Sequence, residues 1–342
     1  MNSTLDDYGI ESKELRKKGR ITEDGAVLLG RNFACDGHAD RPVRVLTHVH
    51  SDHLYGLNES LEKCEEVVMT PQTKSMLEIL YDDKFEDLDK VKTLEYGKKF
   101  QYGDEELTLH KAHHILGASQ TRVKTSTGEK LLFTGDFKKP GTPPRDCDLL
   151  LTEATYGKPY QMRPFRTEIK DIFTRFVQER LENGPVNILG YHGKLQESLQ
   201  ILREKGVENP AFMPDRIYET AQVYEENGRN VGEYHPLESL NDGHDSEDNP
   251  IRLFHANSNR DFGVESVQVK LSGWEFVEPV KSLGDNYSIA LSDHSDFQQL
   301  IEHVKQCEPD YVITDNHRSN GAGILAEEIT KRTQIPAKKM PK

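Results

Sequence analysis

Cysteine is scarce and scattered. The 342 residues hold four, Cys35, Cys64, Cys147 and Cys307, and none forms a C-x-x-C pair. That spacing excludes a disulfide-stapled secreted module and a thiolate-built zinc finger, and fits reduced, mostly buried thiols in a cytoplasmic protein. Long apolar runs are missing as well, none approaching the roughly 18 residues of a membrane helix. Met1 to Arg20 is polar and charged, without the apolar centre of a signal peptide, so a soluble, unexported protein with no membrane partner is expected. Internal repeats are absent, which excludes a solenoid. Basic residues are too few to balance the acids, and the formal net charge is -14. Such a chain repels nucleic acid at long range, so a nucleic-acid substrate would need a local basic groove or a metal to offset the field.

The chain is long enough for two domains, or for one large domain with an insertion. Only 35% of residues are apolar, yet they recur in short clusters. Residues 26–35, 43–47, 66–69, 107–112, 120–125, 130–134 and 148–152 read as strands, with a helix from Pro71 to Leu80. This mixture predicts a layered α/β or α+β domain. After Tyr156 the texture changes. A helix over Phe165–Leu181, a buried strand over Pro185–Gly190 and a helix from Gly193 to about Arg203 suggest a separate small parallel sheet reaching to about residue 275. Residues 241–249 read as a solvated loop. A strand returns at Tyr287. Helices over Phe297–Cys307 and Ala322–Arg332 flank a strand at Tyr311–Thr314, and the tail from Ala337 is expected to be disordered.

The chemistry is concentrated in Thr47-His48-Val49-His50-Ser51-Asp52-His53, with four potential metal ligands within six residues. An apolar run, Val43 to Leu46, leads into it. In an extended segment His48, His50 and Asp52 share one face, while His53 follows at the turn. His48 and His50 can therefore serve one metal, and Asp52 and His53 a second. Imidazole and carboxylate ligands suit Zn²⁺, with Mn²⁺ or Fe as alternatives. Two candidates for partners follow. A histidine, His113 or His114, lies between a strand and Gly117. Asp136 ends the buried strand Leu131–Thr134 after Gly135. A carboxylate there is costly to desolvate unless a cation meets it, so Asp136 is expected to bridge two metals; its plain alternative is a helix or turn cap.

The order of H-x-H-x-D-H, then a histidine, then Gly-Asp at a strand end resembles the metallo-β-lactamase fold. Leu151-Thr152-Glu153-Ala154-Thr155-Tyr156-Gly157 resembles the acidic motif A of the β-CASP nucleases within that superfamily, and Ser292-Asp293-His294-Ser295-Asp296-Phe297 resembles their motif B. His114-Ile115-Leu116-Gly117, Gly193-Lys194-Leu195-Gln196-Glu197 and Ser272-Gly273-Trp274 are similar to further runs of the group. The Thr-Glu-Ala-Thr-Tyr-Gly and Ser-Asp-His forms look nearest to the ligase-associated DNA exonucleases. The resemblance covers about Val27 to Arg332 and rests on the motifs in combination.

It implies an αββα sandwich, residues 1–160 and 281–342, interrupted by an inserted β-CASP α/β domain at 161–280 that would act as a lid. It also implies two Zn²⁺ ions, with Mn²⁺ as the alternative. Site one would be His48, His50, His114 and Asp136; site two would be Asp52, His53, Asp136 and His294. Asp36, with Asp40 as second choice, would orient the histidine loop, and Glu153 would fix a ligand imidazole. Asp52 would take a proton from the nucleophile, and His317, just past the usual motif C position, would protonate the leaving oxygen. Lys138, Lys139, Arg163, Arg166 and Lys194 are candidates for phosphate contacts.

The function expected is a metal-dependent nuclease that uses a two-metal hydroxide mechanism, a DNA exonuclease in repair, with a DNA ligase or helicase as partner by analogy alone. The alternatives are an RNA-processing nuclease, a small-molecule metallohydrolase and a binding protein with a decayed site. Motif C does not separate DNA from RNA.

Overall fold

The computed structural model describes residue 15 and residues 17–81, 89–241, 249–260 and 266–342. The first sheet is a run of six short strands in chain order. Antiparallel β1 (Gly19–Ile21), β2 (Val27–Leu29) and β3 (Phe33–Cys35) lead to parallel β4 (Val43–Val45). Helix α1 (Leu57–Lys63) precedes β5 (Glu66–Met69), and α2 (Pro71–Tyr81) precedes β6 (Val91–Thr93). These crossovers are what parallel pairing requires. A second sheet begins with an antiparallel meander, β7 (Lys99–Tyr102), β8 (Glu105–Lys111), β9 (Ser119–Lys124) and β10 (Lys130–Phe133), then adds β11 (Leu149–Thr152) parallel to β10.

The chain then builds a separate compact unit over Arg163–Asp293, which also takes in Ile79–Tyr81. Helix α3 (Ile169–Leu181) opens it. β12 (Val186–Gly190), α4 (Lys194–Glu204), β13 (Ala211–Met213), α5 (Asp215–Glu226), β14 (Tyr234–Pro236), β15 (Ile251–His255), β16 (Val267–Leu271), β17 (Val280–Leu283) and β18 (Asn286–Ile289) follow. The strand order is β14-β13-β15-β12-β16-β18-β17, all parallel except β17. Helix α6 (Phe297–Cys307), β19 (Tyr311–Asp315), α7 (Ala322–Thr333) and β20 (Ala337–Met340) return to the first unit, where β19 and β20 complete the order β20-β19-β11-β10-β9-β8-β7.

Leu29, Phe33, Val45 and Val68 of the first sheet share one core with Leu107, Val123, Leu131, Phe133, Leu151 and Ile313 of the second. Each such side chain contributes roughly 1.5–3 kcal/mol on burial. Helix α1 lies against β5, while α7 lies against β19 and β20 and packs on α6. The result is a layered α/β sandwich, as the resemblance implies. Helix α6 starts where Asp296 accepts from Gln299 N at 3.0 Å and the Gln299 side chain accepts from Asp296 N at 3.0 Å, a reciprocal cap worth about 1 kcal/mol. Among the described residues no helix is long and apolar enough to cross a membrane.

Four expectations need correction. Residues 26–35 form a hairpin rather than one strand, because Gly30 adopts φ +64° and the Glu105 carboxylate accepts from the Arg31 and Asn32 amides. The segment Val43 to Leu46 is not wholly apolar: Arg44 is fully buried within it. The strand at Tyr287 belongs to the sheet of the second unit, as β18 beside β16, so that sheet extends past residue 275. The tail is not disordered: Ala337–Met340 pairs in parallel with β19, whose backbone would otherwise lie unpaired at the sheet edge. Most of the expected 241–249 loop, residues 242–248, lies outside the described residues.

Helix α6 buries a histidine. The His303 ring lies 4.3 Å from the Phe137 ring, and burial presses its pKa down to about 3. The folded chain thus holds His303 neutral while the unfolded chain protonates it near pH 6.5. Stability is complete above that value and is lost as pH falls towards about 3. Urea unfolding at pH 7.5 and 5.5 should show wild type losing about 1 kcal/mol more than His303→Leu over that interval. Equal losses in the two proteins would remove His303 as the cause.

Candidate metal centre

Several strand ends of the first unit converge. β4 runs into the histidine loop, His114 follows β8, Asp136 follows β10, Glu153 follows β11 and Asp315 ends β19. Gly135 turns Asp136 inward with φ +55°. A Cβ there would stand 2.8 Å from Ser119 O, so the turn needs glycine.

One oxygen sits at the centre. Asp136 Oδ2 lies 3.2 Å from Nε2 of His53, 3.7 Å from that of His48, 3.8 Å from that of His114 and 4.0 Å from that of His294. His50 Nδ1 faces His114 Nε2 at 3.0 Å. Three groups that include Asp136 have ligand atoms within 4.8 Å of one another: His48, His50, His114 and Asp136; Asp52, His53 and Asp136; and Asp136, Glu153 and His294. Ligands on one tetrahedral ion with bonds of 2.0–2.1 Å stand about 3.3 Å apart, so these separations suit shared cations. Nε2 of His48 and of His53 is buried without a hydrogen bond, and the 3.2 Å approach of His53 to Asp136 lacks hydrogen-bond alignment. A buried, unpartnered imidazole nitrogen is costly unless a cation takes its lone pair. The donor set therefore fits two metal ions.

Supporting hydrogen bonds turn the rings. Asp36, fully buried with φ +51°, accepts from Thr47 N at 2.8 Å and Thr47 Oγ1 at 2.5 Å, and meets His53 Nδ1 at 2.7 Å. Thr47 Oγ1 lies 3.1 Å from His48 Nδ1. Glu153 Oε2 meets His294 Nδ1 at 3.0 Å, and its Oε1 accepts from Phe137 N at 2.7 Å. His48, His53 and His294 thus each turn Nδ1 to a fixed partner and present Nε2 inward.

Electrostatics follow from this packing. Burial, then repulsion from His53, His114 and His50, holds His48 well below the usual histidine range, so its lone pair is free. Burial opposes charge on His53 too, but Asp136 and Asp36 outweigh it and raise it to about 10. Without a metal, a proton therefore sits where a cation would bind. Burial would raise the Asp136 carboxyl, yet His53 and His294 overcome this and keep it well below the carboxylate range. Burial raises Glu153 against the pull of His294.

A cavity of about 130 Å³ opens on the centre, lined among others by His50, Asp52, Asp136, Glu153, His294 and Arg318. Asp52 lies in the short turn Ser51–His53, not in an extended segment. Its side chain is 51% exposed, with Oδ2 3.6 Å from His53 Nε2. The remaining expected residues divide. Asp40 is exposed, while Asp36 is buried against the loop. His113 Nδ1 bonds Pro140 O at 2.8 Å, whereas His114 joins the cluster. His317 does not line the cavity. Its Nδ1 bonds Glu23 O at 3.1 Å. Lys194 is buried and paired with Asp293 at 3.0 Å. Lys139 bonds Gln306, and Arg163 is buried with its guanidinium 4.9 Å over Phe276. Lys138 is half-buried and Arg166 exposed.

Two arginines escaped the sequence reading. Arg318 Nη1 donates to Asp315 Oδ2 at 2.7 Å, Nη2 to the carbonyls of Gly25 and Asp36 at 2.9 and 2.6 Å, and Nε to Asp52 O at 3.1 Å. Arg44 donates to the carbonyls of His53 and Tyr55 at 2.9 and 3.2 Å. Both fix the histidine loop from behind. An arginine beside the expected motif C is the one signal in the sequence.

Residues 45–209 match the family described as the metallo-beta-lactamase superfamily. The chain is 40% identical over 132 residues to the "Uncharacterized protein in lig 3'region" of Acidianus ambivalens, covering 38% of this chain and 94% of that one. It is 27% identical over 291 residues to a "Probable DNA ligase" of Opitutus terrae, covering 82% of this chain and 27% of the ligase. It is 29% identical over 214 residues to "Cleavage and polyadenylation specificity factor subunit 3" of Dictyostelium discoideum, covering 52% of this chain and 27% of that factor. The chain belongs to the metallo-β-lactamase superfamily, as its motifs led us to expect. It spans about a quarter of the length of the last two relatives.

Proposed function

We propose that this chain is a metal-dependent nuclease, and specifically a DNA exonuclease acting in repair. The observation that carries the reading is the single Asp136 oxygen set among four imidazole nitrogens within 4.0 Å. His48, His50, His114 and Asp136 would hold one ion, and Asp52, His53, Asp136 and His294 the other, with Zn²⁺ favoured by the donor set and Mn²⁺ as the alternative. Two ions so placed supply a hydroxide near neutral pH and neutralise charge on phosphoryl oxygens. The half-exposed Asp52 carboxylate takes the proton of the attacking water at Oδ2. Asp36 and Glu153 keep His53 and His294 in the tautomer that leaves Nε2 bare. Lys138, at the rim after Asp136, contacts phosphate.

DNA is favoured because one relative, aligned over 82% of this chain, is named a probable DNA ligase. A cytoplasmic location and a DNA ligase as partner fit the same reading. RNA processing is the second reading, supported by the likeness to the cleavage and polyadenylation factor. End-labelled single-stranded DNA and RNA, incubated with Zn²⁺ or Mn²⁺, should show DNA shortened from one end by wild type. His50→Ala should slow this by about 10³ or more, since a lost metal forfeits several kcal/mol of charge stabilisation. Preferential cleavage of RNA would transfer the chain to transcript processing. No cleavage of either by metal-loaded protein would sink the nuclease reading.

A further inference from the structure

The second unit carries a feature that the metal chemistry does not use. β15, β12 and β16 are adjacent parallel strands, and ligands of open parallel sheets gather outside their carboxyl ends. At that edge two large aromatic side chains face solvent. Tyr191, directly after β12, is 47% exposed, and Trp274, three residues after β16, is 61% exposed. Both are built in rather than loose. The Tyr191 ring stands edge-on to His255 at 5.3 Å, and His255 lies 5.4 Å from His192. Trp274 N donates to Ser272 Oγ at 3.1 Å, and its ring stands edge-on to Phe276 at 6.5 Å. Behind it the buried Arg163 donates to Gly273 O and covers Phe276, so the loop is braced while the indole is left outside.

β15 and the segment after it carry cationic charge. Arg260, five residues after the end of β15, lies with its guanidinium 5.7 Å over Phe254. Arg252, two residues before Phe254 on the same strand, has a buried Nε without a partner. Besides burial, the charge of Arg260 lowers the Arg252 pKa, so the two guanidinium groups repel each other. Among the described residues no carboxylate pairs with either one. Glu275, beside Trp274, is offset by Lys281 at 3.7 Å.

We propose that Tyr191, His255, Arg260 and Trp274 form a binding lip for single-stranded nucleic acid at the carboxyl edge of this sheet. The two aromatic faces stack unpaired bases, and the arginine takes the backbone phosphate. The proposal rests on the nuclease reading and names the form of its substrate. A chain of net charge -14 gains no affinity for a polyanion from its overall field. Stacking depends little on that field and accepts every base, but it needs a base that is not already paired in a duplex.

Trp274 is the only tryptophan in the chain, so its fluorescence reports directly on the lip. Full-length protein freed of metal with chelator is titrated with an oligothymidylate, an abasic oligonucleotide of equal length and a duplex. Saturable quenching by the oligothymidylate, with little from the other two, is expected. Tyr191→Ala should weaken that binding by about tenfold, in line with the loss of one stacked base. Arg260→Ala should lower the salt slope of binding by about one. Equal quenching by the abasic strand would overturn base stacking. Metal-loaded protein that cleaves single strands while Trp274 stays silent would overturn the lip and leave the nuclease reading intact. Quenching without cleavage would support the lip while the nuclease reading falls.

Discussion

Asp136→Ala is expected to abolish tight metal binding at both positions together, and to lower phosphodiester hydrolysis by at least about 10³, because several kcal/mol of charge stabilisation is lost. The reason is geometric. A single carboxylate oxygen lies within 4.0 Å of ring nitrogens from His48, His53, His114 and His294, so no pair of ions could be placed without it. His50→Ala removes a ligand of one group only, and should leave about one equivalent of metal bound. Metal content by mass spectrometry, read beside turnover, separates the cases: near zero for Asp136→Ala and near one for His50→Ala. An Asp136→Ala protein that keeps two equivalents would sink its role as the shared ligand. Without metal the change carries a second cost. The His53 ring, raised to about 10 by Asp136 and Asp36, would keep only Asp36 as its counter-charge. The metal-free variant should therefore fall furthest below wild type at and under about pH 6.5, where the whole contribution of the charged ring is present, and the deficit should fade as pH climbs towards about 10. A raised pKa contributes stability below its folded value, and that contribution is lost as pH climbs through it.

Much of this centre was legible because ligands to one ion must be presented from strand ends. A dense H-x-H-x-D-H run and a Gly-Asp after a buried strand are therefore local signals. What supports them was not. Arg44 reads as an interruption in a strand; its role appears only when the strand is buried and the His53 and Tyr55 carbonyls need a donor inside the protein. Arg318 stands beside His317, and nothing local says which of the two turns inward. The choice is made 280 residues away, by the Gly25 and Asp36 carbonyls that accept from it. Lys194 too has a remote partner. A lysine at a glycine turn before a helix resembles a phosphate cradle, yet Asp293 closes on it from the far end of the unit. The hairpin at Gly30 and the strand at Ala337–Met340 were missed because each depends on a remote partner, the Glu105 carboxylate in one case and the open edge of β19 in the other.

Asp36 offers the sharpest test of that remote support. Asp36→Asn should reduce metal affinity by about 10–100-fold, the usual cost of losing a partner behind a ligand, while leaving the fold nearly unchanged. Asparagine tolerates the left-handed φ of +51° found here, and its volume matches. Its amide oxygen can still accept from Thr47 N, which places the NH₂ group against Thr47 Oγ1 and His53 Nδ1. His53 must then accept at Nδ1, and its proton moves to Nε2, the atom that faces Asp136 at 3.2 Å. The ring would be present, correctly placed and blocked. Asp36→Ala should lose comparable metal affinity but also destabilise the fold, by about 1–3 kcal/mol for each buried donor left unpaired and about 1–2 kcal/mol for alanine at a left-handed position. Competition with a zinc chelator measures the first quantity, and urea unfolding of metal-free protein measures the second. Zinc affinity in Asp36→Asn equal to wild type would show that the tautomer of His53 is not set by this carboxylate. Equal destabilisation in both variants would make Asp36 a general support of the loop, with no particular hold on the ring.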